Sequence, residues 1–172
     1  MKRILAVLVI VFAFSANAFS QIPSFREKGY KGSVTYSNMY LVRYNGVETS
    51  HGYMFNENHY LGGGAGAYYT PDGLDSNAIV HFFADYHAYC FDKASTLVVG
   101  LKLGYAKPVF PYLSNYHYLE MEPNVGWSWG LNSGNGLTLT LGTYSLTSIV
   151  KGYGEISIAI KLLPRMCLSY EF

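Results

Sequence analysis

The chain has 172 residues, of which 13% are charged and 17% aromatic, including 17 Tyr. Charge is roughly half the ~25% usual in soluble domains, too little to coat a water-facing surface comfortably. A formal net charge of +1 gives a nucleic-acid partner no electrostatic hold.

Lys2 and Arg3 form a positive leader, and Ile4 to Phe14 an apolar run of the length expected in a secretory signal and too short to span a bilayer. Small residues follow at Ala16, Ala18 and Ser20, so cleavage falls after Ala18 or after Ser20. Ser20 is preferred, giving a signal peptide over residues 1–20 and one domain over 21–172. An uncleaved anchor fits less well, because no stop-transfer pattern or basic cluster follows. The protein is therefore expected to be exported, and loss of Lys2 and Arg3 takes the formal charge from +1 to −1.

After a polar lead-in, Gln21 to Lys28, the chain alternates. Tyr30 to Asn38 sets Val34 and Tyr36 against Thr35 and Ser37, and a turn is expected around Tyr44-Asn45-Gly46. Val47, Thr49, His51, Tyr53 and Phe55 then share a face, before a polar break at Asn56 to Asn58. His59 to Thr70 places Leu61, Gly63, Ala65, Ala67 and Tyr69 opposite Tyr60, Gly62, Gly64, Gly66 and Tyr68, and Pro71-Asp72-Gly73 ends it with turn chemistry. Ala78 to Phe91 sets Val80, Phe82, Ala84 and Tyr86 against Ile79, His81, Phe83, Asp85 and His87.

Asp92 to Ser95 reads as a tight polar turn. Leu97, Val99, Leu101, Leu103 and Tyr105 follow on one face, and Lys107 to Tyr116, with Pro108 and Pro111, reads as the longest connection. Leu119, Met121, Pro123, Val125, Trp127 and Trp129 alternate with Glu120, Glu122, Asn124, Gly126 and Ser128. Asn132 to Gly136 is a turn. Leu137, Leu139 and Leu141 begin a seventh strand, and Thr147 to Gly154 reads as the connection to the last. From Ile156 to Phe172 every second residue is apolar, a period of two longer than most soluble strands.

Eight strands joined in sequence, with no helical period after the leader, define an up-and-down meander. Short polar connections alternate with longer ones, the asymmetry of a membrane barrel. The second face decides between a soluble and a membrane barrel. It is Gly, Ser, Thr and Ala with scattered charges, which suits a narrow lumen filled by side chains. Glu48, Asp85, Lys102, Glu120, Glu122, Lys161 and Arg165 are expected to pair across that lumen. Trp127, Trp129, Tyr170 and Phe172 are expected at one rim as an aromatic girdle. Cys90 and Cys167 fall on opposite types of face and are expected to stay free.

Thr49 to Asn56, the glycine-rich Tyr60 to Gly66, Phe83-Ala84-Asp85-Tyr86, Gly100 to Tyr105 and the ending Leu168-Ser169-Tyr170-Glu171-Phe172 together resemble the small outer-membrane β-barrel domain proteins of Gram-negative bacteria, of the OmpA/OmpX size class. The resemblance covers nearly all of the chain after the leader. It implies an all-β, eight-stranded antiparallel transmembrane barrel in the outer membrane, with Leu168, Tyr170 and Phe172 presented to the barrel-assembly machinery. Pro164 departs from the pattern by removing a ladder donor, and reads as a bulge or a break in the last strand.

Chemistry is thin. Deacylase barrels carry a His followed two positions later by Ser, but His51, His59, His81, His87 and His117 are followed there by Tyr53, Leu61, Phe83, Tyr89 and Leu119. His81, Asp85 and His87, with Glu120 or Glu122, would make a metal cluster only if they converged across strands; packing in the lumen explains them better. Gly62 to Gly66 lacks the following helix of a phosphate cradle and reads as a strand passing close to bulky neighbours. Phe110, Tyr112 and Tyr116 are the candidates for capture by a loop. The expectation is a monomeric, non-enzymatic envelope component surrounded by outer-membrane lipid, without cofactor, metal or catalytic residue. The alternatives are a secreted lipocalin-like barrel holding an apolar ligand and a lipid-modifying outer-membrane enzyme.

Overall fold

The computed structural model describes residues 26–70, 78–109, 117–131, 135–152 and 155–172. The leader assigned to residues 1–20 lies outside them, as do the loop aromatics Phe110, Tyr112 and Tyr116. Eight strands form one closed antiparallel barrel: β1 (Gly29–Met39), β2 (Tyr44–Asn56), β3 (His59–Tyr69), β4 (Ala78–Tyr89), β5 (Ser95–Pro108), β6 (Tyr118–Gly130), β7 (Gly136–Gly152) and β8 (Glu155–Glu171). Each strand pairs with its neighbours in sequence, and β8 returns to β1. Closure is completed by reciprocal backbone bonds, Gly32 N–H to Phe172 O at 2.8 Å and Phe172 N–H to Gly32 O at 2.9 Å. The start of β1 and the end of β8 share the lower rim with the β2–β3 and β4–β5 turns.

The alternation in sequence is the alternation of the wall. Val34, Val47, Leu61, Phe82, Leu101, Val125, Leu141 and Leu168, one from each strand, are all exposed on the outside. Thr35, Glu48, Asp85, Lys102, Glu122, Thr140 and Arg165 are buried inside. A soluble barrel would reverse this arrangement, with a greasy interior and a charged exterior. The glycines of β3 make room in the lumen: a Cβ at Gly64 would meet the Phe83 ring at 2.5 Å, and one at Gly66 would collide with His81 and Glu48.

Several boundaries differ from expectation. Tyr44, Asn45 and Gly46 open β2, since Ser37 pairs with Gly46 and Asn38 with Asn45; the turn is the 3-10 segment Tyr40–Val42, closed by Arg43 in the left-handed region at φ 52°. Ser95 belongs to β5, and so do Lys107 and Pro108. Most of the stretch Thr147 to Gly154 is strand: β7 and β8 pair from Gly136↔Glu171 out to Gly152↔Glu155, so only residues 153–154 connect them. The two strands thus form a hairpin extending past the end of β1.

That extension explains Pro164. Pairing of β8 with β1 stops at Asn38↔Met166, while pairing with β7 continues. Because the Phe172 amide faces β1 and amide direction alternates along a strand, Leu168, Met166 and Pro164 direct their nitrogens the same way. Pro164 is the first residue beyond the closed seam whose nitrogen is turned to that side, where β1 offers no acceptor. β8 is one continuous strand, neither bulged nor split there. Pro123 is different: β6–β7 pairing skips Glu122 and Pro123 and resumes in the same register at Asn124↔Gly142. Replacing Pro164 by Val should therefore change stability by less than about 0.5 kcal/mol. Leu168→Pro, which deletes an amide inside the seam, should abolish the folded form; urea titration of refolded protein followed by gel mobility without boiling separates the two.

Candidate functional site

The lumen is filled in three layers. At the bottom, Met54, Tyr60, Tyr89 and Val98 form a buried apolar cluster. At the top, Met39, Tyr68, Ala106, Tyr144, Leu146 and Leu163 form another. Between them lies a charged layer carried by five strands. Glu48 on β2 accepts from Lys102 Nζ on β5 at 2.6 Å, from Arg165 on β8 and from the Tyr68 hydroxyl on β3. The Arg165 guanidinium spans to Glu122 on β6 with its other terminal nitrogen, its side chain fully buried. It also lies over the rings of Tyr68 and Tyr144, at 5.1 and 5.6 Å.

His81 is held between two carboxylates, Nδ1 at 3.0 Å from Glu120 and Nε2 at 3.4 Å from Glu48. Tyr144 donates its hydroxyl to Glu120 as well. Asp85 stands apart, paired with His87 at 3.1 Å. His81 and His87 are thus committed to different carboxylates. Among the described residues no group of three or more His, Cys, Asp or Glu is placed to hold a metal.

Of the expected lumen charges, Glu48, Asp85, Lys102, Glu120, Glu122 and Arg165 are buried within the barrel. Lys161 is a correction: it points to the lumen side of β8 but lies beyond the closed seam and is exposed. Three buried charges were missed. Lys31 and Glu171 lie on inward positions near the lower rim, where Glu171 accepts from Thr138 and, at 3.4 Å, from Tyr89. Arg26 precedes β1 and closes the bottom of the barrel, donating to Lys93 O at 2.8 Å and Ser128 Oγ at 2.9 Å with its guanidinium 4.2 Å from the Tyr89 ring centre. Burial lowers its pKa from the ordinary arginine value, opposed by Tyr89 and Glu171. Alternation signals Lys31 and Glu171; nothing periodic signals Arg26.

Outside, the remaining histidines are bonded to tyrosines: His51 to Tyr30 at 2.6 Å and Thr49 at 2.9 Å, His59 to Tyr86 at 2.8 Å, and His117 to Tyr105. Trp129, Leu137 and Tyr170 lie side by side across β6, β7 and β8 near the lower rim, with Phe172 at the end of the chain against His51. Cys90 is exposed below β4, Cys167 is buried in the lumen, and both are free.

A closed eight-stranded wall, apolar outside and charged within, is the architecture of a small outer-membrane β-barrel. No family model matches the sequence, and no curated protein does. Among solved structures, the crystal structure of Neisserial surface protein A is similar over 84% of this chain and 92% of that one, with 14% identity and a TM-score of 0.51. At that identity the likeness bears on the fold alone.

Removing one member of a buried ion pair leaves the others desolvated and uncompensated. Arg165→Met should cost about 3–5 kcal/mol of unfolding free energy, and adding Glu122→Gln, which leaves Glu48 paired with Lys102, should recover much of it; urea unfolding in micelles reads both.

Proposed function

We propose that the protein is an integral outer-membrane barrel of a Gram-negative envelope, of the OmpA/OmpX size class, with a structural or interaction role. The observation that carries this reading is the polarity of the wall. Phe82 is 63% exposed, Leu141 59% and Val125 49%, while Glu48, Asp85 and Arg165 on the opposite face are at most 2% exposed. Water disfavours such a surface, whereas hydrocarbon accepts it and requires that the sheet close. The signal over residues 1–20 directs export, and the alternate Leu168, Tyr170 and Phe172 of β8 are what the barrel-assembly machinery reads. The protein acts as a monomer, without cofactor, and the charged layer blocks free diffusion of solutes. No catalytic residue is assigned.

The protein should stay with outer membranes through a carbonate wash and migrate differently before and after boiling; release as soluble protein would sink the reading. A sharper test is Leu103→Arg, on an outward position that is 49% exposed. In water such a change is nearly neutral, but near the bilayer midplane it costs about 2–4 kcal/mol. Unfolding from lipid vesicles should show that loss.

A further inference from the structure

Above the charged layer, the lumen opens into a cavity of about 340 Å³, within the about 300–1,000 Å³ common for small-molecule pockets. Met39, Ile79, Leu146 and Leu163 give it an apolar lining beside the rings of Tyr68 and Tyr144, whose hydroxyls are turned down to the charged layer. Two further lining residues show where it leads. Lys161 and Leu163 belong to the inward set of β8, but Ile160, which also lines the cavity, belongs to the outward set and is 65% exposed. A cavity that touches both faces of one strand must pass an edge of it. The edge toward β7 is sealed, with Ser145↔Leu162, Leu146↔Lys161 and Thr147↔Ile160 paired. The edge toward β1 carries no pairing beyond Asn38↔Met166, and Pro164 is the first residue there whose nitrogen is turned to that side. The cavity therefore opens sideways, through a notch between the top of β1 and the rising arm of β8.

We propose that this cavity takes the acyl chain of an anionic amphiphile, admitted from the side through the notch, with the head group held by Lys161. Met39, Ile79, Leu146 and Leu163 give a hydrocarbon chain apolar contact within the cavity, and the lateral opening gives it a way in. Lys161 is exposed, lines the same cavity and has no ion-pair partner among the described residues, which supplies the positive charge where the chain would end. Pro164 removes one of the amides that β8 turns toward the notch, so a passing chain meets one fewer unsatisfied donor there. The cavity stands on the fold; admission from the bilayer rests on the outer-membrane reading.

The test uses the full mature chain refolded into phosphatidylcholine nanodiscs, with 11-dansylaminoundecanoate as the probe. Saturable enhancement of its emission is expected for the wild type. Leu163→Trp fills the cavity and Ile160→Trp blocks the notch from an exposed position that places no burden on folding; each should weaken binding about tenfold or more, a loss of about 1.4 kcal/mol. Lys161→Gln should weaken the anionic probe several-fold and leave its uncharged methyl ester unchanged. Displacement by added decanoate identifies a free fatty acid as the source of the chain, and displacement by phosphatidylglycerol built into the nanodisc identifies a membrane lipid. Equal binding by the wild type and both Trp variants, or displacement by neither competitor, overturns the proposal. Heat-modifiable mobility of the same samples reports insertion separately, so a barrel that inserts but does not bind refutes the cavity without touching the membrane assignment.

Discussion

The seam between β1 and β8 is the contact on which the rest of the molecule depends. In hydrocarbon an open sheet edge would leave a row of amides and carbonyls unpaired, at several kcal/mol apiece, so the wall must meet itself. Here it does so through Gly32 and Phe172 and the register up to Asn38↔Met166. Closing with eight strands leaves a lumen only wide enough for side chains. Every inward residue then competes for that space. Gly62, Gly64 and Gly66 on β3 yield it to Tyr60, Phe83 and His81, and these rings in turn pack around the charged layer.

The charged layer is better understood as a device for register than as a source of stability. Taking Glu48, Lys102, Glu122 and Arg165 out of water costs much of what their mutual attraction returns. A one-residue slip of any strand, however, would turn these groups toward lipid and bring Leu101 or Val125 inside. Because most of the outward face is apolar, apolar residues alone would discriminate poorly between registers in a bilayer. Ions that are satisfied in one arrangement of the ring, and stranded in every other, supply the discrimination. The apolar layers above and below keep water from relieving the mismatch.

The period of two made the faces legible, since hydrophobic choice acts on each alternate residue. It carries no information about height. Alternation puts Lys161 on the inward side of β8 but not at a level, because only the length of β1 determines where the lumen stops being enclosed. Turn chemistry misled at Tyr44-Asn45-Gly46, where pairing with β1 and the close approach of the Tyr68 ring to Gly46 override local preference. Beyond Thr147 the pattern weakens as Ser148 and Lys151 interrupt it, so the hairpin arm reads as loop although its backbone pairs throughout. Arg26 sits outside any repeating element, and its role at the base follows from the fold alone.

The unequal lengths of β1 and β8 also fix how the barrel sits in its bilayer. Unpaired backbone is tolerated only where water or head groups can reach it. The upper end of the seam, Asn38↔Met166, therefore marks the level at which hydrocarbon gives way to the polar interface. Tyr36 and Asn45, hydrogen-bonded to each other at 2.7 Å on the outer surface, and the Tyr105–His117 pair have the amphipathic character that this level favours. The notch opens above that level, so an acyl chain entering the cavity would do so from the interface, beside Lys161, rather than from the hydrocarbon core. A strand that stops early on one side of the seam, and a proline beyond where it stops, would be enough to join the interior of a closed barrel to the interface around it.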